Sequence, residues 1–176
     1  MKLFSITLHV IKMPLRSPFM THLGSVAERE GIIVEITDED GVTGYGEGVA
    51  FSTPWYTEET VKTSLHMMSD FLIPLLKHRP VSHPDETLAL FASIRGNKMA
   101  KAALEMALWD LYAKRKLLPL SRVLGGTQER IPAGVVIATD SISSAIEQID
   151  HYLLEGYQRI KLKIHPGHDI SVLADI

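Results

Sequence analysis

Cysteine is absent from the 176 residues, which excludes disulfides, thiolate metal sites and a cysteine nucleophile within this chain. That composition suits a reducing compartment. Long apolar runs are also missing: no stretch approaches the roughly 18 apolar residues that a membrane-spanning helix requires. The first ten residues carry Lys2 and several apolar side chains, but Ser5, Thr7 and His9 interrupt them, unlike the unbroken core of a signal peptide. Clusters of basic residues are lacking too, and the net charge is −3. Phosphate backbones are bound by grouped Lys and Arg, so no nucleic-acid partner is expected, and no membrane partner either. What remains is a soluble, cytoplasmic globular composition, 45% hydrophobic and 22% charged. The length suits one ordinary domain or two small ones.

Phe4, Ile6, Leu8 and Val10 alternate with polar residues and predict a half-buried strand. Met13 to Ser25 contains Pro14, Pro18 and Gly24 and is expected to be a loop long enough to cover something. A second strand is expected over Gly31–Thr37, a turn at Asp38-Glu39-Asp40-Gly41, and a returning strand over Val42–Val49. The turn resembles the opening of a calcium loop but lacks the later spaced oxygens and closing Glu. Gly44, Gly46 and Gly48 fall at alternate strand positions, where missing side chains permit close packing against a neighbour. No helix follows them to hold a pyrophosphate, so they are not a dinucleotide fingerprint.

Beyond Phe51 the period becomes helical. Thr57 is the expected N-cap, with Glu58 and Glu59 in the first turn of a helix through Val61, Leu65, Met68 and Leu72 to about Pro74. A second helix begins near His83-Pro84-Asp85-Glu86 and carries Leu88 and Phe91. A third runs from Met99 to about Lys114, with Ala103, Met106, Ala107 and Leu111 as its apolar stripe. Pro119–Leu124 forms a short helical turn ended by Gly125-Gly126. Three strands followed by helices make an α+β unit.

After Gly126 the pattern switches. Ile131–Ala138 is an apolar, β-branched run of the kind found in buried parallel strands. Ser141–Glu155 reads as an amphipathic helix through Ile142, Ala145, Ile146, Ile149 and Leu153, stopped by Gly156. Arg159-Ile160-Lys161-Leu162-Lys163-Ile164 is the next strand, and the three elements form a βαβ unit with parallel strands. Asp169 would cap a further helix whose pattern stops at Ile176, so the end reads as a truncated barrel.

Period two places Lys161 and Lys163 on one face of their strand, with Ile160, Leu162 and Ile164 on the other. A solvated edge strand has the same pattern. In a parallel barrel the apolar face would pack under helices and the lysines would point inward, near the C-terminal strand end where that fold carries its chemistry. Their roots would be about 6–7 Å apart. Repulsion between neighbouring ammonium groups favours the neutral amine of one, and a neutral lysine is a base able to take a proton from carbon.

Gly96-Asn97, Ala100-Lys101-Ala102-Ala103-Leu104-Glu105-Met106-Ala107-Leu108-Trp109-Asp110, Arg29-Glu30, Gly44-Tyr45-Gly46-Glu47, Leu124-Gly125-Gly126 and the Lys-x-Lys strand resemble, in order, the enolase superfamily. Within it the chain is similar to the muconate-lactonizing subgroup, in the branch of o-succinylbenzoate synthases and N-acylamino acid racemases. The likeness runs through nearly the whole chain but only about the first half of such an enzyme. Enzymes of that superfamily use a Lys or His base together with Mg²⁺, which stabilises the ene-diolate.

The resemblance implies a capping domain over 1–130, a three-stranded antiparallel sheet plus helices, followed over 131–176 by the start of a (β/α) TIM-type barrel. It implies that Lys163 is the acid/base facing the α-carbon of a small carboxylate substrate and that Lys161 assists. Phe19, Thr21, His22 and Leu23 would belong to a loop closing over the site, and Tyr56 to a second specificity loop. Val136, on the first barrel strand, would face the pocket; it stands where the branch often has Ser, and Ala138 where it often has Gly. Mg²⁺ (or Mn²⁺) would serve the complete enzyme, with its acidic ligands and an opposing lysine beyond Ile176 and no metal ligand in this chain. His165 and His168, in a strand-ending turn, are not expected to ligate a metal. The implied chemistry is dehydration to o-succinylbenzoate in menaquinone biosynthesis, or racemisation of N-acylamino acids. Dipeptide epimerase and cycloisomerase are the alternatives, and a homo-oligomer is compatible with either. A non-catalytic fragment or binding module is the reading if 176 residues are the whole product.

Overall fold

Alternation near the N-terminus extends much further than the prolines suggest. The structure, a computed structural model, describes residues 1–21, 24–77, 79–138 and 141–163. Strand β1 runs over Leu3–Thr21, β2 over Gly24–Asp38 and β3 over Thr43–Gly48, in the sheet order β1-β2-β3. The stretch from Met13 expected as a loop is therefore mostly strand. Pro14 and Pro18 are tolerated because β1 is an edge, where a missing N–H costs no ladder bond.

The β2–β3 hairpin is antiparallel and pairs Ile32 with Gly48, Val34 with Gly46 and Ile36 with Gly44. One sheet face therefore carries three buried aliphatic side chains on β2 and three glycines on β3. Helix α4, Lys98–Arg115, lies in the trough that the glycines leave. A Cβ on Gly44 would sit 2.3 Å from the Ala107 carbonyl oxygen, and one on Gly46 would sit 2.1 Å from that of Ala103. Small residues at Ala100, Ala103 and Ala107 bring the helix backbone down to the strand, and Leu104, Leu108 and Leu111 join Ile32, Val34 and Ile36 in the core. Met106, expected in this stripe, is 42% exposed, because the face that meets glycine is narrow and selects Ala103 and Ala107 instead.

The outer edge of β3 is also satisfied by α4. The Tyr45 amide donates to Asp110 Oδ2 at 2.8 Å, and Lys114 Nζ donates to the Thr43 carbonyl at 2.9 Å. The turn between β2 and β3 is closed by Asp38, whose Oδ1 accepts from the Asp40 and Val42 amides at 3.0 Å. Arg115 bridges Asp38 and Asp40, so the acids of this calcium-loop lookalike are spent on the hairpin and on α4.

The first helix starts later than expected. Helix α1 spans Val61–Met67 with Thr60 as N-cap in a reciprocal capping box with Thr63, not Thr57. A π-helical turn, Met68–Leu72, separates it from α2, Ile73–Lys77. The widened turn falls just before Pro74, which has no N–H to return to the preceding turn. Helix α3, Glu86–Leu90, buries Phe91 at its end but leaves Leu88 on the solvent side, because one short turn has only one inward face. Helix α5, Leu120–Val123, completes this part. Ile32, Val34, Ile36, Met68, Leu72, Leu76, Leu104, Leu108 and Leu111 form its core.

The chain divides into two compact units, Met1–Phe19 with Val26–Thr127, and Met20–Ser25 with Gln128–Ile176. The second unit contains β4, Gly134–Ile137, α6, Ile142–Leu154, and β5, Arg159–Leu162, with β4 and β5 parallel. Ser141 caps α6 by accepting from the Ser144 amide at 3.4 Å, and Gly156, at φ +94°, takes the chain out of the helix. The apolar run from Ile131 yields a shorter and less buried strand than expected, with Ile137 the one buried member of β4. The helix expected from Asp169, and the His165 and His168 pair, lie outside the described residues.

Candidate functional site

In the second unit, the parallel register sets Val135 beside Ile160, Val136 beside Lys161 and Ile137 beside Leu162. Val135, Ile137, Ile160 and Leu162 therefore share one face, and each is buried or half-buried. Helix α6 packs on β4 and buries Ala145. Val136, Lys161 and Lys163 occupy the opposite, exposed face. The Lys163 amide donates to the Ile137 carbonyl at 3.0 Å, so the ladder continues one residue past β5 and keeps Lys163 in phase with Lys161. Arg159 belongs to this face as well: its guanidinium lies across Gly134, where a Cβ would come within 3.1 Å of Nε. Period two alone could have found this third cation, two positions before Lys161. The unit thus presents Arg159, Lys161 and Lys163 in a row, with the 50%-exposed Val136 beside the middle one. Such a row can attract an anionic group, and an amine within it can exchange a proton with a neighbouring carbon acid.

The other candidates come earlier in the sequence: Phe19 and Tyr56 belong to the first unit, and Thr21 to the second. Phe19 lies on β1 and is partly exposed. Thr21 ends β1, while His22 and Leu23 lie outside the described residues. Tyr56 is 65% exposed and closes a trio of rings, 5.5 Å from Trp55 and 5.8 Å from Phe51. Phe51 and Trp55 are 4.7 Å apart. The segment has anchors that sequence reasoning did not identify. Arg29 stacks over Phe51 at 4.3 Å and donates to the carbonyls of Glu30 at 2.8 Å, Ala50 at 3.1 Å and Val49. Glu30 Oε2 accepts from Ser52 Oγ at 2.6 Å. Glu59, buried, accepts from the Met99 amide at 2.9 Å and the Ala100 amide at 3.1 Å, so it caps α4 across the chain instead of opening α1. Nothing local in the sequence points to the carbonyl acceptors of Arg29 or to Glu59's distant partner.

Among the described residues no three His, Asp or Glu side chains gather to hold a metal ion. No described helix is long and apolar enough to cross a membrane.

The profile of the mandelate racemase / muconate lactonizing enzyme N-terminal domain matches residues 5–125. The chain belongs to that family. Its relatives include the o-succinylbenzoate synthase of Geobacillus kaustophilus, 50% identical over 97% of this chain and 46% of the relative. An N-succinylamino acid racemase from Thermus thermophilus is 37% identical over 98% of this chain and 47% of its own length. A solved enolase-superfamily member from Listeria innocua superposes with a TM-score of 0.92 at 38% identity, covering 97% of this chain and 46% of that one. The chain thus spans about half the length of the relatives it matches. The three-stranded sheet with α1–α5 is the N-terminal capping domain of the mandelate racemase / muconate lactonizing family within the enolase superfamily.

Proposed function

We propose that this chain is the N-terminal part of an enzyme that removes the proton α to a carboxylate, either to dehydrate the substrate to o-succinylbenzoate or to racemise an N-acylamino acid. The observation that carries the proposal is the shared exposed face of Lys161, Lys163 and Val136 on parallel strands backed by α6. In this reading 1–130 is the cap and the barrel begins at Ile131. Similarity to a synthase and to a racemase supports the pair of activities without choosing between them.

Lys163 Nζ takes the α-proton. Lys161 assists by drawing the substrate carboxylate toward the strand. Val136 would wall the pocket beside Lys161, and Phe19, Thr21, His22, Leu23 and Tyr56 would contact the rest of the substrate. The divalent cation of this reading, Mg²⁺ or Mn²⁺, would be held by the acidic residues that the family resemblance expects beyond Ile176. When bound, such a cation offsets the negative charge that grows as the proton leaves. The 176 residues alone are expected to be inactive, and the enzyme to work in the cytoplasm.

The test is exchange of the substrate α-proton with D₂O in the full-length enzyme. Lys163→Ala should abolish it, with binding of the substrate retained. Undiminished exchange in Lys163→Ala would remove Lys163 from the reaction. Turnover of the cyclohexadiene precursor of o-succinylbenzoate, measured against N-succinyl amino acids, would decide between the two reactions.

A further inference from the structure

The segment carrying Trp55 and Tyr56 is closed at its neck. Phe51 and Thr60 form a parallel bridge, and the Val61 amide donates to the Phe51 carbonyl at 2.9 Å. One leg of the loop is fixed by Glu59 on the first amides of α4. The other is fixed by Arg29, whose guanidinium reaches the carbonyls of Val49 and Ala50 and covers the Phe51 ring. From Phe51 the ring contacts continue through Trp55 to Tyr56. An aromatic side chain as exposed as Tyr56 would otherwise sample several rotamers, and a ligand would have to freeze it on binding.

We propose that Arg29 is a positioning residue: it sets the Phe51–Trp55–Tyr56 stack so that Tyr56 is pre-ordered for the non-carboxylate part of the substrate. The proposal rests on the reading of Tyr56 as a substrate contact. Arg29 does not touch Tyr56; it acts through Phe51 and the backbone at the neck. Only a planar fork can serve two successive carbonyls while stacking on a ring, so Lys is not equivalent here.

The chain has two tryptophans, so Trp109→Phe leaves Trp55 as the sole reporter in the 176-residue protein. Well below the unfolding transition, Arg29→Met should raise acrylamide quenching of Trp55 about twofold, since loss of the anchor opens the loop locally. Arg29→Lys should fall between, and Phe51→Leu, which keeps apolar bulk but removes the ring, should match Arg29→Met. In the full-length enzyme, Arg29→Met and Tyr56→Ala should each raise KM about tenfold with little change in kcat, and the double variant should be no worse than either. Unchanged quenching in both Arg29→Met and Phe51→Leu, or a change confined to the melting temperature, would overturn the proposal. So would additive effects of Arg29→Met and Tyr56→Ala. If Tyr56→Ala leaves KM unaltered while quenching responds, the reading of Tyr56 as a contact is what fails, and the positioning role falls with it.

Discussion

Helices α4 and α6 differ sharply in how their apolar residues are used. In α4 the inward positions are fully covered, and the sheet beneath has lost its own side chains at Gly44 and Gly46 to let the helix down. In α6 the pattern is as regular, yet Ala145 is buried while Ile146 and Leu153 remain exposed and Leu154 is 89% exposed. Amphipathic spacing therefore predicts that a helix forms and which face is apolar. Burial depends on what the rest of the fold brings to that face. In the capping domain α4 and the sheet bury their apolar faces on one another, whereas the βαβ unit leaves its cationic face and the apolar residues Ile146, Leu153 and Leu154 of α6 exposed.

The largest test of that contrast is a pair of identical truncations. Leu108, fully buried, should lose about 3–5 kcal/mol on replacement by Ala, through lost apolar contact and a residual cavity. Leu154→Ala should change stability by less than about 0.5 kcal/mol. Urea unfolding followed by circular dichroism measures both, and equal effects would remove the contrast. Next in size is Gly46→Ala. Its Cβ would meet Ala103 and Ala107 backbone atoms at 2.1 and 2.7 Å, so α4 must retreat, at a cost of about 1–3 kcal/mol. Gly134→Ala, where the nearest atom at 3.1 Å belongs to the Arg159 side chain, should cost much less, because that side chain can move.

These same positions explain how far the fold was legible. The hairpin turn at Asp38–Gly41, the glycine strand and the βαβ order were readable because each depends on near neighbours. The long β1 was not, because Pro14 and Pro18 carry breaker signals whose effect vanishes on an edge, and edge status is a property of the sheet. The N-cap was placed three residues early because Thr57 and Thr60 are equally good caps locally, and Glu59 is recruited by α4, forty residues away in the chain. Of the candidate site, alternation places Lys161 and Lys163 on a common face and extends equally to Arg159, while pairing sets Val136 beside Lys161. The Arg29 anchor was hidden, because its acceptors are backbone carbonyls, which leave no mark in a sequence.

The smallest expected effect separates the two units by pH. Every buried acidic side chain among the described residues belongs to the first unit, and Asp38 is one of them. Burial pushes its carboxyl up, but hydrogen bonds from Arg115 and from the Val42 and Asp40 amides outweigh burial and hold it below the usual range. A carboxylate whose folded pKa is depressed stabilises the protein fully above its unfolded value of about 3.9 and loses that contribution as pH falls through the folded value. The capping domain should therefore keep a constant urea midpoint from neutral pH down to about 5 and weaken below that. Arg115→Gln removes the cation while burial remains, so the fall should begin at higher pH. Hydrogen exchange should show the loss first at the β2–β3 turn and the end of α4, with α6 unaffected. A parallel loss of protection in α6 would mean that the two units do not respond to acid separately.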